Sequence, residues 1–530
     1  MKKILLQAHR GVAAEYPENT MAAFRAAVNQ GYDIIELDPD YTADEELVVF
    51  HDKHSINRTA RNADGSNVEK EICLRDITYA EAMKYDYGIS FDKRFKGEKL
   101  PLLKEVFDFA ADNGIPLKLD NKIQAFPENI LEKLLELCDK TDASVGFTCA
   151  TIDFARLVAE RYPHAHIHFD GEANEKNLKT LSSFVPKDRL TVWIAFPNEL
   201  TEWVQIPRAS RELCALIKEY ANLGIWIIHN KEDYIKACEE FGADVVETTG
   251  RIKPELNHGI VADMHTHSEN SHDSVCPVSD MAKAQIAKGT KAFAVTDHCD
   301  VEHSDTVDVE SVIRSSYKDA TRNANIFAEK IDILCGVEMG TYPGTEELCE
   351  KILGMQSYDV VIGSVHTLKI NGKKMVYSQM DFSAVSDEEI HNYITAYFEE
   401  ILNMLRTMPV DILAHLTCPL RYINGKYGRN IDLSAYDEYI IPILEHIIAH
   451  AIALEINTSG FACGYDSLMP DKRIIEMYKK MGGYLITLAS DAHSCENASI
   501  AFEYALEHLK SAEFENIYYY KNRIAIPCRI

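Results

Sequence analysis

Seven short apolar segments in the second half of the chain each end in a side chain that can bind a metal. They read VADMHTH, KAFAVTDH, DILCGVEMG, YDVVIGSVH, VDILAH, AIALEIN and YLITLASDAH. Each has the length and composition of a buried strand, and the carboxyl ends of parallel barrel strands gather on one face. His265 and His267 are two residues apart, so they project from the same face of their strand. The pattern predicts a parallel β/α barrel with a metal site at that face.

Six imidazoles and three carboxylates form the candidate ligand set of this half. The nine residues are His265, His267, Asp273, His298, Glu338, His366, His415, Asp491 and His493. Because the set contains no thiolate, Zn, Fe or Mn suits it better than a structural zinc, Ca or Mg alone. Nine ligands exceed the needs of one ion, so we expect two or three metals that share a bridging carboxylate. A single histidine is more often a surface or core group, but nine ligands at matched strand ends argue against that explanation.

This ligand set resembles the polymerase and histidinol phosphatase (PHP) superfamily, and more closely its histidinol-phosphatase-like phosphoesterases. The resemblance spans residues 261–530 and includes the closing segment YYYKNRIAIP. It implies a distorted (β/α)7 barrel. The implied metal groups are His265, His267 and Asp491 for one ion, Glu338, His366 and His415 for a second, and Asp273, His298 and His493 for a third. The candidate substrate-binding residues are Arg421 in CPLRY and Asn457 at the end of AIALEIN.

Nine strand-like segments alternate with helical patterns in residues 1–256. They read KILLQAH, DIIELD, ELVVFHD, PLKLD, SVGFTC, HIHF, TVWIAF, GIWIIH and ADVVET. Nine is one more than a closed (β/α)8 barrel needs, so we expect one segment, TVWIAF or HIHF, to lie outside it. The polar segment 53–100 has little periodicity, and segments of that length are often functional insertions. We therefore expect a TIM-type barrel whose mouth is covered by a cap formed by residues 53–100.

Three of these segments end in a second set of reactive side chains. They supply His9 and Arg10 from AHRG, Glu36 and Asp38 from IELD, and His51 from VVFHD. Glu36 and Asp38 lie two residues apart on a strand, so their carboxylates face the same way and can share a hard cation. Two imidazoles can act as general acid and base near neutral pH, and an arginine can pair with phosphate. Together these groups suit metal-assisted cleavage of a phosphoester.

At these positions the sequence resembles the glycerophosphodiester phosphodiesterase family. The shared motifs are HRG, PENTMAAFRAA, IELDPDYT and VVFHD, and the resemblance covers residues 1–255. The implied roles are binding of Mg or Ca by Glu36 and Asp38 and acid and base catalysis by His9 and His51. Two departures stand out: Asp120 stands in place of the usual Glu, with the usual Lys two residues later as Lys122, and ETTG replaces a Thr-Asp pair. Asp120 is therefore a candidate ligand and Lys122 a candidate catalytic residue.

Length and composition limit the domain number, the partners and the compartment. At 530 residues the chain is too long for one ordinary core, and RIKPELNHG at residues 251–259 suggests domains 1–256 and 257–530. The net charge of -28 argues against a nucleic-acid partner. No segment has the roughly 20 apolar residues that span a bilayer. The 13 cysteines lack both a C-x-x-C pair and a secretion signal, so we expect reduced thiols in a cytoplasmic protein without membrane contact. The sequence leaves the oligomeric state open.

Two adjacent phosphoesterase barrels suggest consecutive hydrolyses of small phosphorylated metabolites. The first domain would hydrolyse a glycerophosphodiester-type phosphodiester to a phosphomonoester, and the second would convert a phosphomonoester to an alcohol and phosphate. One alternative is a histidinol-phosphate-type phosphatase whose first barrel is catalytically silent and only binds or stabilises. Another alternative makes the first barrel a phosphodiester sensor that controls the second. Only the first hypothesis requires diester turnover, so a diesterase assay separates it from the others.

Overall fold

Eight parallel strands close a barrel in the first half of the chain, as the sequence predicted. The structure is a computed structural model that describes residues 3–201, 207–254, 261–301, 304, 307–340 and 344–530. The strands of this half are β1 (Leu5–His9), β2 (Ile34–Leu37), β3 (Pro39–Tyr41), β4 (Leu47–Val49), β5 (Leu117–Leu119), β6 (Val145–Cys149), β7 (Ile167–Phe169), β8 (Leu190–Ala195), β9 (Asn222–Trp226) and β10 (Val245–Thr248). The closed order is β1-β2-β5-β6-β7-β8-β9-β10, which leaves out β3 and β4.

The segment that lies outside this barrel is ELVVFHD, so the expectation of TVWIAF or HIHF is wrong. β7 and β8, which contain those two segments, are barrel strands, whereas β4 pairs antiparallel with β3. The reason is the length of the connection. Only residues 42–46 join β3 to β4, and a parallel crossover needs about a dozen residues or more. A hairpin therefore carries the chain to His51, where a barrel strand was expected.

Helices occupy most connections between the barrel strands of this half. They are α1 (Met21–Asn29), α2 (Tyr79–Ala82), α3 (Leu103–Asn113), α4 (Glu128–Cys138), α5 (Ile152–Arg161), α6 (Glu175–Ser182), α7 (Arg211–Tyr220) and α8 (Lys231–Ile235). The side chain of Thr20 caps α1 by accepting a hydrogen bond from the backbone N–H of Ala23. This cap fixes the chain direction directly after the HRG turn.

Residues 53–100 form an irregular lobe that packs against the β3–β4 hairpin. Phe50 shares a buried apolar cluster with Ile56 and Leu74 of the lobe. The lobe also sends the Arg58 guanidinium to the Asp52 carboxylate, with an Nε to Oδ2 distance of 2.7 Å. The lobe thus lies beside residues 50–52, which follow β4. We predicted a cap formed by the same residues 53–100.

Seven parallel strands form the barrel of the second half, and all seven predicted segments supply one strand each. The strands are β11 (Ala262–Thr266), β12 (Ala292–Val295), β13 (His298–Asp300), β14 (Asp332–Gly340), β15 (Val360–Ser364), β16 (Thr367–Ile370), β17 (Lys373–Val376), β18 (Ile412–Leu413), β19 (Ala453–Asn457), β20 (Ile486–Ala489), β21 (Asn516–Lys521) and β22 (Ile524–Arg529). The barrel order is β11-β12-β14-β15-β18-β19-β20, and β13 adds to the end of β14. An isolated bridge between Thr266 and Ala492 stands at the last seam. The barrel is therefore nearly closed, which confirms the predicted distortion.

Helices and hairpins complete this half. The helices are α9 (Val278–Ala287), α10 (Val309–Phe327), α11 (Glu346–Leu353), α12 (Asp387–Thr407), α13 (Asp437–Ala449), α14 (Lys472–Lys480) and α15 (Phe502–Ser511). β16 with β17 and β21 with β22 form antiparallel hairpins, so YYYKNRIAIP is a hairpin. Its turn residues Asn522 and Arg523 have φ angles of 51° and 65°, which suit a tight two-residue turn. Among the described residues, no helix is both long enough and apolar enough to cross a membrane.

The chain divides into two units, Met1–Pro254 and Glu255–Ile530. The boundary proposed between residues 256 and 257 lies within 255–260, outside the described residues. Cys276 and Cys495 form a disulfide with a Cα–Cα distance of 5.7 Å, so the prediction of reduced thiols is wrong for this pair. The two cysteines are 219 residues apart, and no spacing rule in the sequence pairs them. The other 11 cysteines form no disulfide.

Candidate active sites

Three carboxylates converge at the carboxyl-terminal face of the first barrel. Glu36 lies in β2, Asp38 follows β2 and Asp120 follows β5, and one oxygen of each lies within 4.8 Å of the others. Burial and the charge of Asp38 raise the pKa of Glu36 well above its ordinary value. Buried carboxylates this close repel one another, and a hard divalent cation with oxygen ligands would relieve that repulsion. The three predicted ligands therefore come together and fit such an ion.

His9 and Arg10 lie at the end of β1, beside this acidic cluster. Arg10 has a φ of 56°, and its backbone N–H donates to Oε2 of Glu36 at 3.0 Å. Its guanidinium Nε lies 3.4 Å from Oδ2 of Asp38. The Nε2 of His9 lies 3.9 Å from Oε2 of Glu36, and burial lowers the pKa of His9 to about 4. The imidazole is thus neutral at pH 7 and can accept a proton.

His51 and Lys122 are joined through the backbone of the hairpin. His51 is 40% exposed, and its Nδ1 lies 2.8 Å from Oδ1 of Asp52. Lys122 is buried, and its Nζ donates to the carbonyl oxygens of Phe50 and, at 3.3 Å, of His51. Lys122 therefore lies behind the histidine and holds its backbone. The structure brings the candidate acid–base group, His51, to the surface of the site.

Glu247, Lys118 and Asn19 belong to this site, although the sequence analysis gave them no role. Oε1 of Glu247 lies 4.0 Å from Nε2 of His9, and Nζ of Lys118 donates to Oε2 of Glu247 at 3.0 Å. Asn19 donates from Nδ2 to Oδ2 of Asp38 at 2.7 Å. The position of Glu247 at the end of VVET was a usable signal. Its pairing with Lys118 could not be predicted from the sequence, because 129 residues separate the two.

Glu338 is the centre of the second site. It is fully buried, and its Oε1 lies 3.1 Å from Nε2 of His366 and 3.0 Å from Nε2 of His415. Its Oε2 lies 2.6 Å from Nδ1 of His298 and 3.5 Å from Nε2 of His265. Both oxygens therefore face imidazole nitrogens, as a bridging carboxylate would between two ions.

A second group lies where β11 meets the segment after β20. The Nε2 atoms of His265 and His267 are 3.1 Å apart, and Oδ1 of Asp491 is 3.2 Å from Nε2 of His267. All three side chains are buried. Their ligand atoms lie within 4.8 Å of one another, so the structure assembles the group that the PHP resemblance implied for the first ion.

The third group lies closer to solvent. Nε2 of His298 and Nε2 of His493 are 3.3 Å apart, and they lie 3.5 and 3.4 Å from the two oxygens of Asp273. The Asp273 side chain is 44% exposed, because it projects from the loop after β11. All nine predicted ligands thus gather at one face of the second barrel.

The nitrogen and oxygen atoms of the second site are better placed to bind metal ions than to form hydrogen bonds with one another. Nδ1 of His298 and Oε2 of Glu338 are buried and only 2.6 Å apart, yet neither makes a hydrogen bond of acceptable geometry among the described residues. Nitrogen and oxygen donors without thiolate suit Zn, Fe or Mn. His265, His267, His298 and Glu338 each belong to two or more overlapping groups. The geometry alone therefore does not fix which ligand serves which ion.

Buried partners orient several of these ligands from behind. Oε2 of Glu455 accepts a hydrogen bond from Nδ1 of His265 at 2.9 Å. Asp297 accepts a hydrogen bond from the Ser271 hydroxyl at 2.7 Å, and that hydroxyl lies 3.1 Å from Nδ1 of His267. Such partners fix the ring orientation and the tautomer of ligating histidines. The sequence analysis missed Asp297, although it directly precedes His298.

A cavity opens above the ligand cluster and has one arginine in its wall. It is lined by Asp273, His298, His366 and His493 on the ligand side and by Tyr377, Tyr422 and Arg421 on the other. Nη1 of Arg421 donates to the Ser459 hydroxyl at 2.9 Å and lies 3.9 Å from Oδ2 of Asp491. Its side chain is 20% exposed. The predicted phosphate-binding arginine is thus beside the ligand cluster.

The structure does not bring Asn457 to this cavity. The side chain is fully buried. Its Nδ2 donates to Oε1 of Glu455 at 2.8 Å, and its Oδ1 accepts a hydrogen bond from the Ser459 hydroxyl at 2.7 Å. Asn457 therefore supports the residues that flank the site, and in this structure it is out of reach of a substrate.

Comparisons with known proteins match a different family model to each half of the chain. The Glycerophosphoryl diester phosphodiesterase family matches residues 9–248, and the PHP domain matches residues 263–459. The Bacillus subtilis protein named "Putative glycerophosphodiester phosphodiesterase YhdW" is 41% identical over 244 residues, which are 46% of this chain and 92% of that protein. The Thermotoga maritima protein named "Probable histidinol-phosphatase" is 28% identical over 254 residues, 48% of this chain and 93% of that protein.

A further relative covers a shorter stretch. The "Glycerophosphodiester phosphodiesterase" of Caldanaerobacter subterraneus subsp. tengcongensis is 40% identical over 136 residues, 25% of this chain, so the chain matches about half (52%) of that relative's length. The matches with YhdW and with the histidinol-phosphatase, by contrast, span nearly the whole of those proteins. The chain belongs to the glycerophosphoryl diester phosphodiesterase family through its first domain and carries a PHP domain in its second.

Proposed function

We propose that the chain is a bifunctional phosphoesterase of small phosphorylated metabolites. The first domain hydrolyses a glycerophosphodiester-type phosphodiester to a phosphomonoester, and the second hydrolyses a phosphomonoester to an alcohol and phosphate. The observation that carries the proposal is a separate set of buried and partly buried ligand atoms at the carboxyl-terminal face of each barrel. A silent first barrel would not need Glu36, Asp38 and Asp120 to converge beside two imidazoles.

Metal ions are part of the proposal at both sites. Glu36, Asp38 and Asp120 would hold Mg or Ca, and the nine candidate ligands of the second site, Glu338 among them, would hold two or three Zn, Fe or Mn ions. When bound, such ions polarise phosphoryl oxygens and offset the charge that develops during ester cleavage. The proton transfers and the positioning fall to the residues of the chain.

In the first domain, His9 and His51 are the candidates for proton transfer. His9 is neutral at pH 7, since burial lowers its pKa to about 4, so it can take a proton from an attacking hydroxyl group. Asp52 accepts a hydrogen bond from Nδ1–H of His51, so the doubly protonated ring can donate its Nε2 proton to the leaving alcohol and become the neutral Nδ1–H tautomer. Arg10 can offset phosphate charge, and Lys122 positions His51 through its carbonyl oxygen.

In the second domain, Arg421 is the candidate for binding the substrate phosphate. Its guanidinium lines the cavity within 3.9 Å of the ligand Asp491, and a planar guanidinium suits phosphate oxygens. Asn457 supports Glu455, which orients His265. The described wall of this cavity also carries the Tyr377 and Tyr422 rings, which can enclose the alcohol part of a monoester.

The test is phosphate release from glycerophosphodiesters by the metal-loaded protein, comparing wild type, His9→Ala and His366→Ala. Wild type should release inorganic phosphate, and His366→Ala should stop at the monoester. His9→Ala should lose diester cleavage by about 10²- to 10⁴-fold, the range for a general acid or base, and still cleave added monoester. If wild type cleaves monoesters and leaves every diester intact, the first domain is a binding module for those compounds.

A further inference from the structure

We infer that Asp300, which is outside the nine-residue ligand set, is a positioning residue that fixes the ring and tautomer of His366. Oδ1 of Asp300 lies 3.0 Å from Nδ1 of His366, and Nε2 of His366 lies 3.1 Å from Oε1 of Glu338. An ionised carboxylate can only accept a hydrogen bond, so the contact requires the proton on Nδ1. In the neutral ring the lone pair of Nε2 then faces the ligand cluster. The inference deepens the proposed function and rests on it.

Gly340 gives Asp300 the room to make this contact. β13 pairs with β14 so that Asp300 lies opposite Gly340, and on the other side of β14 Gly340 lies opposite Ser364 of β15. A Cβ atom at residue 340 would lie 2.7 Å from Oδ1 of Asp300, too close for a real contact. The carboxylate therefore passes over β14 at the one point in this pairing that lacks a side chain. It meets His366 two residues beyond the end of β15.

The surroundings of His366 show that Asp300 is the group that sets its orientation. The side chains of Asp300 and His366 are only 12% and 14% exposed. The Tyr377 ring stands edge-on to the imidazole with the ring centroids 6.1 Å apart, which limits ring rotation without choosing a tautomer. Nδ1 of the neighbouring ligand His415 is buried and has no hydrogen-bond partner among the described residues. A carboxylate behind the ring is therefore a specific feature of some ligands in this cluster and not of all.

Two kinds of substitution test the inference from opposite sides. Asp300→Ala removes the acceptor, whereas Asp300→Asn keeps an oxygen that can still accept from Nδ1–H. Gly340→Ala leaves Asp300 in place and puts a methyl group against its Oδ1. Gly336→Ala is the matched control on the same strand, since a Cβ there would lie 2.6 Å from Cγ2 of Thr296 and 2.7 Å from Cγ1 of Val360. Both positions are tight, and none of the three atoms nearest to a Cβ at residue 336 belongs to Asp300.

Three readouts are needed for each Zn²⁺-loaded full-length variant: turnover of p-nitrophenyl phosphate, bound zinc by atomic emission, and the Nδ1–H proton resonance of His366 by NMR. Asp300→Ala should lower kcat and zinc affinity by about 10- to 100-fold, the usual effect of removing such a partner, with KM little changed. Its Nδ1–H resonance should broaden through solvent exchange. Gly340→Ala should behave like Asp300→Ala, and Asp300→Asn should lose less turnover and less zinc affinity. Gly336→Ala should match wild type in all three readouts when they are normalised to the amount of folded protein.

The inference is overturned if Asp300→Ala keeps wild-type zinc affinity and an unchanged Nδ1–H resonance, or if Gly336→Ala is as damaging as Gly340→Ala. Failure of the proposed function looks different. In that case wild type would turn over no phosphomonoester, while zinc affinity and the His366 resonance would still respond to Asp300→Ala. First-domain diester cleavage should be unaffected by all four substitutions.

Discussion

The first site carries positive charges beside its carboxylates, whereas Glu338, the central carboxylate of the second site, has no Lys or Arg partner among the described residues. In the first site, Arg10 lies 3.4 Å from Asp38 and Lys118 lies 3.0 Å from Glu247. In the second, Arg421 lies 3.9 Å from Asp491, and no Lys or Arg among the described residues pairs with Glu338. The carboxylates of the second site are surrounded by imidazoles instead.

This difference determines the pKa values of the histidines in each site when no metal is bound. Burial lowers the pKa of His9 in the first site to about 4. Burial also opposes the charged form of His298 in the second site, but Glu338 and Asp273 raise its pKa to about 10. The metal-free His298 ring therefore carries an extra proton at pH 7, and an ion must displace that proton when it binds there. The second domain should be more tightly coupled to its metals than the first.

The largest effect is expected from Glu338→Gln. It removes the charge that both sides of the histidine cluster share, and breaking a buried charge group costs about 3–5 kcal/mol. If that cost falls on the transition state, monoester turnover drops by about a hundredfold to several thousandfold. The measurement is kcat/KM on a phosphomonoester, with diester cleavage by the first domain as the internal standard. Glu445→Gln, on the exposed surface of α13, should change neither activity.

Chelation should separate the stabilities of the two domains. All three tryptophans, at positions 193, 203 and 226, lie in the first half, so tryptophan fluorescence reports unfolding of that half alone. Removing ions present at about a thousand times their Kd should lower the unfolding free energy of the second domain by about 4 kcal/mol. In calorimetry, EDTA should lower the midpoint temperature of the transition without a tryptophan signal by more than it lowers that of the tryptophan-reported transition. A larger shift of the tryptophan-reported transition would reverse the comparison.

Reduction of the Cys276–Cys495 disulfide should also act on the second domain. The bond ties the loop that carries Asp273 to the loop that carries His493, and a long-range disulfide typically contributes about 2–4 kcal/mol. We expect Cys276→Ser to lower the second-domain midpoint in urea and to make it insensitive to dithiothreitol. Cys335→Ser, which removes a free cysteine packed in the same apolar cluster, should keep the dithiothreitol response.

The smallest effect is expected from His166→Gln in the first domain. Burial lowers the pKa of His166 to about 4, below the unfolded value of about 6.5. Its contribution to stability is therefore complete above pH 6.5 and is lost as the pH falls toward 4. Glutamine can keep the contact with Thr191 without titrating, so the unfolding free energy reported by tryptophan fluorescence should fall less on acidification, by on the order of 1 kcal/mol for this partly exposed ring. The exposed His164→Gln is the control and should leave the pH dependence as in wild type.

Much of the fold and of the ligand set could be predicted because the signals are local. A barrel strand and the residue that follows it are adjacent in the sequence, so Glu338 and His366 could be identified from their own segments. The hairpin of β3 and β4 was missed because strand composition does not show which neighbour a strand pairs with. The five-residue connection at residues 42–46 was the signal that could have shown it.

The supporting contacts could not be predicted because they join distant segments. Asp300 and His366 are 66 residues apart, and Glu455 and His265 are 190 residues apart. Cys276 and Cys495 became partners only through the fold. Asn457 shows the opposite error, since its place at a strand end predicted a substrate contact while its side chain faces the buried side. Strand-end position predicts proximity to the site, but the direction of the side chain depends on neighbours that local patterns do not identify.

The most direct test of two independent sites is complementation between inactive variants. His9→Ala and His366→Ala are mixed in metal-containing buffer with a glycerophosphodiester, and the products are followed by ³¹P NMR. We expect no inorganic phosphate from either variant alone, accumulation of monoester with His366→Ala, and phosphate release from the mixture. If the mixture releases no phosphate although His366→Ala forms monoester, the second domain does not accept the product of the first, and the two-step account is contradicted.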